Sequence, residues 1–344
     1  MEWKKRISRE EFEKGMFAMK AVVVTAYGGT ENMSCKDIER PVPGPGQVLV
    51  KVAATSVNFA DIKSRYGKKG GKLPFIPGLD AAGVVVQVGQ DVKQFQVGQR
   101  VIAFPSNGSY AEYIVANENL TFAIPDSMDF LTAAAAPIVS FTSYKLLADV
   151  ARLEQGETVL IHAAAGGIGT TAIQLAKLLG AGKVIGTVGN ESKRQTALEA
   201  GADHVIVYED ARFAEEVNEL TNGEGANVIL DSIAGKVSEE SIRCLAPYGR
   251  LVHFGNASGD VGTFKTVDLH ASCRSVLGFS FGTTRSKRPH LLRDTAEKVL
   301  GYLTDGSLKI RIGRRFPLSE AALAHDWVES RQSTGKVLLE VEQL

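Results

Sequence analysis

Thr158-Val159-Leu160-Ile161-His162-Ala163-Ala164-Ala165-Gly166-Gly167-Ile168-Gly169 is the stretch whose reading decides the fold of this chain. Thr158 to His162 is an apolar, partly β-branched run of strand length. From Ile168 apolar residues recur at helical spacing, at Ala172, Leu175, Ala176 and Leu179. The pattern is strand, glycine turn, helix. A glycine there lets the backbone turn tightly and approach a pyrophosphate, whose charge then rests on the free N–H groups of the helix start. Ala164 stands where the first glycine of G-x-G-x-x-G is usual, leaving A-x-G-x-x-G. Alone that string describes an ordinary loop; with its flanking strand and helix it predicts a dinucleotide site.

Charge indicates which dinucleotide. An NAD site usually ends its second strand in an acidic residue about 20 residues past the loop, which takes the ribose hydroxyls and repels a 2′-phosphate. Here the second strand, Val184 to Val188, ends in Gly189-Asn190, and Lys193-Arg194 follow. The next strand, His204 to Val207, ends at Tyr208. In a doubly wound sheet these two strand ends lie side by side, so Gly189, Lys193 and Tyr208 can converge on one ribose. A small residue leaves room for a phosphate, an ammonium neutralises it, and a phenol donates a hydrogen bond or flanks the adenine. The cofactor expected is NADP(H). In the plainer reading Lys193 and Arg194 decorate a solvated helix face, with Glu191 blunting the preference.

The composition suits an enzyme of two domains: 344 residues, 44% hydrophobic and 23% charged. Lys plus Arg and Asp plus Glu number 39 each, so no global field attracts nucleic acid or an anionic membrane. Cys35, Cys244 and Cys273 are odd in number and far apart, which argues for free thiols in a reducing compartment rather than a disulfide framework or a zinc lobe. No stretch has the length of a membrane span, and the start lacks the apolar core of a signal peptide. The expected location is cytoplasmic.

Residues 1–18 form a separate N-terminal extension, dense in both charge signs and expected as a solvated segment rather than a membrane or partner helix; a short native helix, an early start codon or a remnant of expression would look the same. From Met19 to about Ala123 the texture is β, with Gln47 to Val52, Gly83 to Val88 and Gly98 to Ala103 as strands. From Ser140 to Phe281 strand and helix alternate, with a strand at Asn227–Leu230, a helix at Glu239–Leu245 and a strand at Arg250–Phe254. Such alternation builds an α/β doubly wound parallel sheet with ligands at its carboxyl ends. The alternating run Gly335 to Glu340 can rejoin the first β domain.

Taken together, the motifs resemble the zinc-independent quinone oxidoreductases (zeta-crystallin-like) of the medium-chain dehydrogenase/reductase superfamily. They are Ser56-Val57-Asn58-Phe59-Ala60-Asp61 with Arg65 and Gly67, Pro77 to Gly83, His162 to Gly169, Gly186 to Gly189 with Lys193, and Phe254-Gly255-Asn256. The resemblance implies a GroES-like β-rich catalytic domain over residues 19–139 and 282–344, a Rossmann NADP(H)-binding domain over 140–281, an active-site cleft between them, and a homodimer. Zinc-dependent relatives place a cysteine where this chain has Asn58, and Gly-His-Glu where it has Gly78-Leu79-Asp80. An amide, a leucine and one carboxylate cannot make a tetrahedral zinc site, so no metal is expected; a site built on His162 or His253 is the remote alternative.

Without a Lewis acid, the acceptor expected takes hydride unaided: a small quinone, or an electron-poor alkene such as an enal, enone or enoyl thioester. Proximity and orientation carry such a reaction. By resemblance, Asn58 is the amide near nicotinamide and acceptor, with Phe59 and Lys63 beside it; Asp61 orders that loop and Arg65 braces it, or the two pair. Thr142 resembles the hydroxyl at the nicotinamide, or else caps a helix. Ala165, Gly166, Gly167 and Ile168 cradle the pyrophosphate. Ser232, Phe254 and Gly255 end strands facing the cofactor, Arg331 is a late cationic contact, and Lys336 stands behind it. Tyr66 and Tyr110 are acceptor contacts or packing residues. The reading of another class is a non-catalytic NADPH-binding, RNA-binding or crystallin-like structural protein, against which stand the neutral charge and the lack of an RNA module.

Overall fold

The structure, a computed structural model, describes residues 18–68, 72–208 and 210–341. The expected N-terminal extension lies outside the described residues except for Ala18. The described residues form two compact units, one of those up to 134 with 315–332 and those from 337 onward, the other of those from 135 to 314 with 333–336.

Alternation and β-branching build the first unit. β1 (Ala18–Val24) pairs antiparallel with β2 (Met33–Glu39) in a two-stranded sheet. β3 (Gln47–Val57) leads into the short helix α1 (Phe59–Arg65), and β4 (Ala81–Val88), β5 (Arg100–Ala103), β6 (Tyr113–Asn117) and β7 (Thr121–Ala123) follow. β3 pairs with both β4 and β6 and is also buried on both faces over most of its length, which the near period-two pattern of Gln47 to Val52 did not convey. α2 (Phe130–Ala135) closes this stretch.

The second unit opens with α3 (Pro137–Tyr144) and then alternates: β8 (Thr158–Ile161), α4 (Gly167–Leu178), β9 (Lys183–Val188), α5 (Arg194–Glu199), β10 (His204–Val207), α6 (Ala214–Leu220), β11 (Ala226–Asp231), α7 (Lys236–Arg243), β12 (Leu245–His253), α8 (Thr266–His270), β13 (Ser275–Gly278), α9 (Phe281–Lys287) and α10 (Leu292–Thr304). The strand order is β10-β9-β8-β11-β12-β13, all parallel, with order reversing between β8 and β11. That reversal is where open α/β sheets bind ligands. The expected helix at Glu239–Leu245 starts and ends earlier, because Leu245 already opens β12 as a buried strand residue.

The unit also runs to Arg314, past Phe281, where the alternation of strand and helix is read to end in the sequence. Helix α10 accounts for the difference: it packs on α3 and buries Leu292, Ala296 and Val299. The chain then forms β14 (Ile312–Pro317), α11 (Ala321–Glu329) and β15 (Lys336–Glu340). β15 pairs antiparallel with β3, completing a sheet of order β14-β15-β3-β4-β5-β7. This is the return anticipated for Gly335 to Glu340.

Candidate active site

The glycine loop is shaped by what cannot be there. Ala163 adopts a left-handed φ of 52°, and Gly166 caps α4 with extended backbone. A Cβ on Gly169 would lie 2.4 Å from the Ala163 carbonyl oxygen and 2.6 Å from Ala164 backbone atoms, so only glycine fits. Ala164, the departure from the usual string, is fully buried, and its N–H donates to Thr187 O at 3.0 Å. Its methyl is accommodated by Gly186 on β9, where a Cβ would approach it to 2.7 Å. The first N–H groups of α4, from Gly167 to Gly169, have no intrahelical acceptor and carry the positive end of the helix dipole. Lys336 is buried against this turn, its Cδ 2.8 Å from the place a Gly167 Cβ would take, and Gly335 N–H donates to Ala165 O at 2.9 Å.

The second and third strands end together. Val188 and Val207 are in register, and Tyr208 N–H donates to Val188 O at 3.2 Å. A Cβ on Gly189 would meet nothing within 4 Å, so this corner is open. Lys193 ends a one-turn helix starting at Glu191. Arg194 turns back: its Nε donates to Glu191 Oε1 at 2.7 Å and its Nη1 to Val205 O at 2.5 Å. Glu191 is therefore occupied with Arg194, whose guanidinium is held at the edge of β10.

The other strand ends are equally ordered. Asp231 accepts from the N–H groups of Ile233 and Ala234 at 2.8 and 3.0 Å, which fixes the turn carrying Ser232. Gly255 packs so closely that a Cβ would lie 2.9 Å from Ser232 O, and Phe254 N–H donates to Asp231 O at 2.9 Å. Thr142 lies inside α3 and is buried, so the capping alternative does not apply. His162 is buried with Nδ1 2.8 Å from Thr187 Oγ1 and Nε2 2.9 Å from Ser241 Oγ. Burial, opposed by the Asp231 charge, lowers its pKa to about 4.

In the first unit, Asn58 is the N-cap of α1 and closes a capping box with Asp61, whose Oδ2 accepts Asn58 N–H at 2.8 Å. Asn58 Nδ2 donates to Asp80 Oδ1 at 3.0 Å, and Ser56 Oγ donates to the same oxygen at 2.7 Å. Asp80 is fully buried. The position a zinc ligand set would need is thus filled by an amide–carboxylate lock, with Leu79 offering no donor atom, and these residues do not fit a zinc ion. Among the described residues no group of three or more His, Cys, Asp and Glu is arranged to hold a metal. Arg65 pairs with Glu329 rather than serving Asp61 alone. Phe59 is exposed and the Lys63 ammonium lies 5.5 Å from its ring centroid.

One open alternative closes. Tyr110 is fully buried and its hydroxyl donates to Asp61 Oδ2 at 3.2 Å, so it is a packing and hydrogen-bonding residue rather than an acceptor contact. Arg331 is exposed, with a left-handed φ of 58°, and belongs to the first unit, while Lys336, ranked behind it, sits on the pyrophosphate turn. Local sequence reasoning missed His325 and Glu329, whose partners lie more than 200 residues away. One cleft of about 400 Å³ is lined by Glu239, Arg243 and Arg274, and another of about 200 Å³ by Thr170, Gln174 and Arg311. No helix among the described residues is long and apolar enough to cross a membrane.

Residues 44–126 match the alcohol dehydrogenase GroES-like domain, and residues 167–297 match a family described as zinc-binding dehydrogenase. The chain is 38% identical to a quinone oxidoreductase of Pseudomonas aeruginosa over 93% of its own length and 99% of that protein. It is 35% identical to a 2-haloacrylate reductase of a Burkholderia species, over 93% and 98%. Among solved structures it is similar to Escherichia coli quinone oxidoreductase complexed with NADPH, with a TM-score of 0.87 and 32% identity over 94% of this chain and 100% of that one.

Proposed function

We propose that this chain, which belongs to the quinone oxidoreductase family of the medium-chain dehydrogenase/reductase superfamily, reduces a small quinone without a metal. It is an NADPH-dependent oxidoreductase. The cofactor, when bound, supplies the hydride. The observation that carries the nucleotide side is the open corner at Gly189, with Tyr208 on the adjacent strand end and Lys193 on the next turn. There a 2′-phosphate gains an ammonium and meets no acidic residue of the NAD type. The turn of Ala165, Gly166, Gly167 and Ile168 at the start of α4, with Lys336, cradles the diphosphate. Thr142, Ser232, Phe254 and Gly255 face the nicotinamide, and Arg331 adds a late cationic contact.

Asn58, with Phe59 and Lys63, lines the acceptor side. Its amide contributes shape and a fixed dipole, because Asp80 and the start of α1 already hold it. A quinone that accepts hydride needs only one proton, available from water, to become an aromatic hydroquinone, so binding, orientation and exclusion of side reactions are the work left to the protein. We further propose a cytoplasmic homodimer. The relationship to 2-haloacrylate reductase favours one second reading, an NADPH-dependent reductase of activated C=C bonds sharing every cofactor contact. Initial rates of NADPH and NADH oxidation with 1,4-benzoquinone, an enal, an enone and an aldehyde separate the two. Fastest turnover of quinone with NADPH supports the first reading, and enal or enone preference replaces it with the second.

A further inference from the structure

Helix α1 has two faces with different partners. Asp61 and Arg65, four residues apart, point inward and are buried, Arg65 with no exposed surface, while Phe59 is exposed and Lys63 partly so. The inward face is held from α11. Tyr110 Oη lies 3.2 Å from Asp61 Oδ2 and 3.1 Å from His325 Nε2. A carboxylate only accepts, so the phenol proton goes to Asp61 and the phenol oxygen accepts from His325 Nε2–H. One turn along α11, Glu329 pairs with Arg65. The Asp61 oxygen reached by Tyr110 is the one that accepts Asn58 N–H. An unbroken series of hydrogen bonds therefore runs from His325 through Tyr110 and Asp61 to the Asn58 peptide.

The arrangement is expensive if stability is its only purpose. Arg65 Nε and Nη1 and His325 Nδ1 are buried without hydrogen-bond partners, and each such group costs more than an apolar replacement would. Local violations of polar satisfaction gather where a geometry must be held for function. We propose that His325 and Glu329 are positioning residues for the reaction: through Tyr110–Asp61 and through Arg65 they fix both ends of α1 and so the place of Asn58. The proposal rests on the reading that Asn58 lines the acceptor side.

The test is a double-mutant cycle on the full chain with Tyr110→Phe, Asn58→Ala and both together, reading kcat and KM with 1,4-benzoquinone, NADPH affinity by fluorescence titration, and Tm. Tyr110→Phe lowers kcat about 10-fold or more, leaves NADPH affinity unchanged, and adds nothing to Asn58→Ala in the double variant. His325→Leu repeats the loss, and His325→Gln, whose amide reaches the Nε2 position, recovers most of it. If His325→Leu does not fold, Tyr110→Phe and His325→Gln decide the matter. A Tyr110→Phe variant with lowered Tm and wild-type kcat, or effects that multiply in the double variant, overturns the positioning role. A wild-type chain that binds NADPH yet does not reduce the quinone overturns the reaction reading first, and the positioning role falls with it.

Discussion

The turn at Gly166–Gly169 and the turn at Asn58–Asp61 both start a helix at a proposed binding surface, and they are built by opposite means. At the first, the backbone does the work: Gly169 has no room for a Cβ, Ala164 is fitted against Gly186, and the first N–H groups of α4 have no acceptor within the helix. At the second, side chains do it: Asn58, Asp61, Asp80, Tyr110 and Ser56 hold one another in a buried hydrogen-bond set. A backbone device tolerates few substitutions but is written locally in the sequence. A side-chain device is assembled from distant segments, tunable by single atoms and nearly silent in any one stretch of chain.

The largest expected effect is on the backbone device. Gly169→Ala forces a methyl into the Ala163 and Ala164 backbone, and NADPH affinity should fall by roughly 100-fold or more; Gly189→Ala, in open space, should leave the fold stable. Equal behaviour of the two in titration and thermal melts would break the contrast.

Acid compares the two regions through their buried histidines. His162 in the second unit is lowered to about 4 by burial, with Asp231 opposing, and His325 in the first to about 3 by burial and then the Arg65 charge. Each binds its proton near pH 6.5 when unfolded, so between these values the unfolded chain holds more protons and stability falls as pH falls. The loss begins near pH 6.5, and His162 alone accounts for roughly 3 kcal/mol by pH 4. Urea unfolding at pH 7.5 and pH 4.5 checks this, and His325→Gln should flatten only its own share of the slope.

The smallest effects sharpen the nucleotide corner. Lys193→Ala should lower the NADPH/NADH preference about 10-fold. Arg194→Ala should change it less than about 2-fold, because Arg194 is held by Glu191 and the Val205 carbonyl. The reverse order in steady-state kinetics would move the phosphate contact to Arg194.

The same contrast separates what the sequence carries locally from what only the fold brings together. β8, the loop and α4 were legible because strand period, glycine and helix period follow one another, and His204–Val207 and the return of Lys336–Glu340 were legible as alternating runs. The reason Ala164 is allowed was not, since it depends on Gly186 across a parallel pair. Neither was the reach of the second unit to Arg314, which needs the packing of α10 on α3. Asn58 and Asp61 stood out as a motif, but Tyr110, His325 and Glu329, which hold them, carry no local signal. Lys336 was ranked behind Arg331 for the same reason: only the fold lays it on Gly167.

The most direct test of metal-free, NADPH-dependent quinone reduction is the initial rate of NADPH oxidation by 1,4-benzoquinone before and after exhaustive chelation, with zinc quantified in the same samples. The account predicts far less than one zinc per chain and an unchanged rate. Stoichiometric zinc whose removal abolishes turnover and whose return restores it would contradict the reading of Asn58 and Asp80.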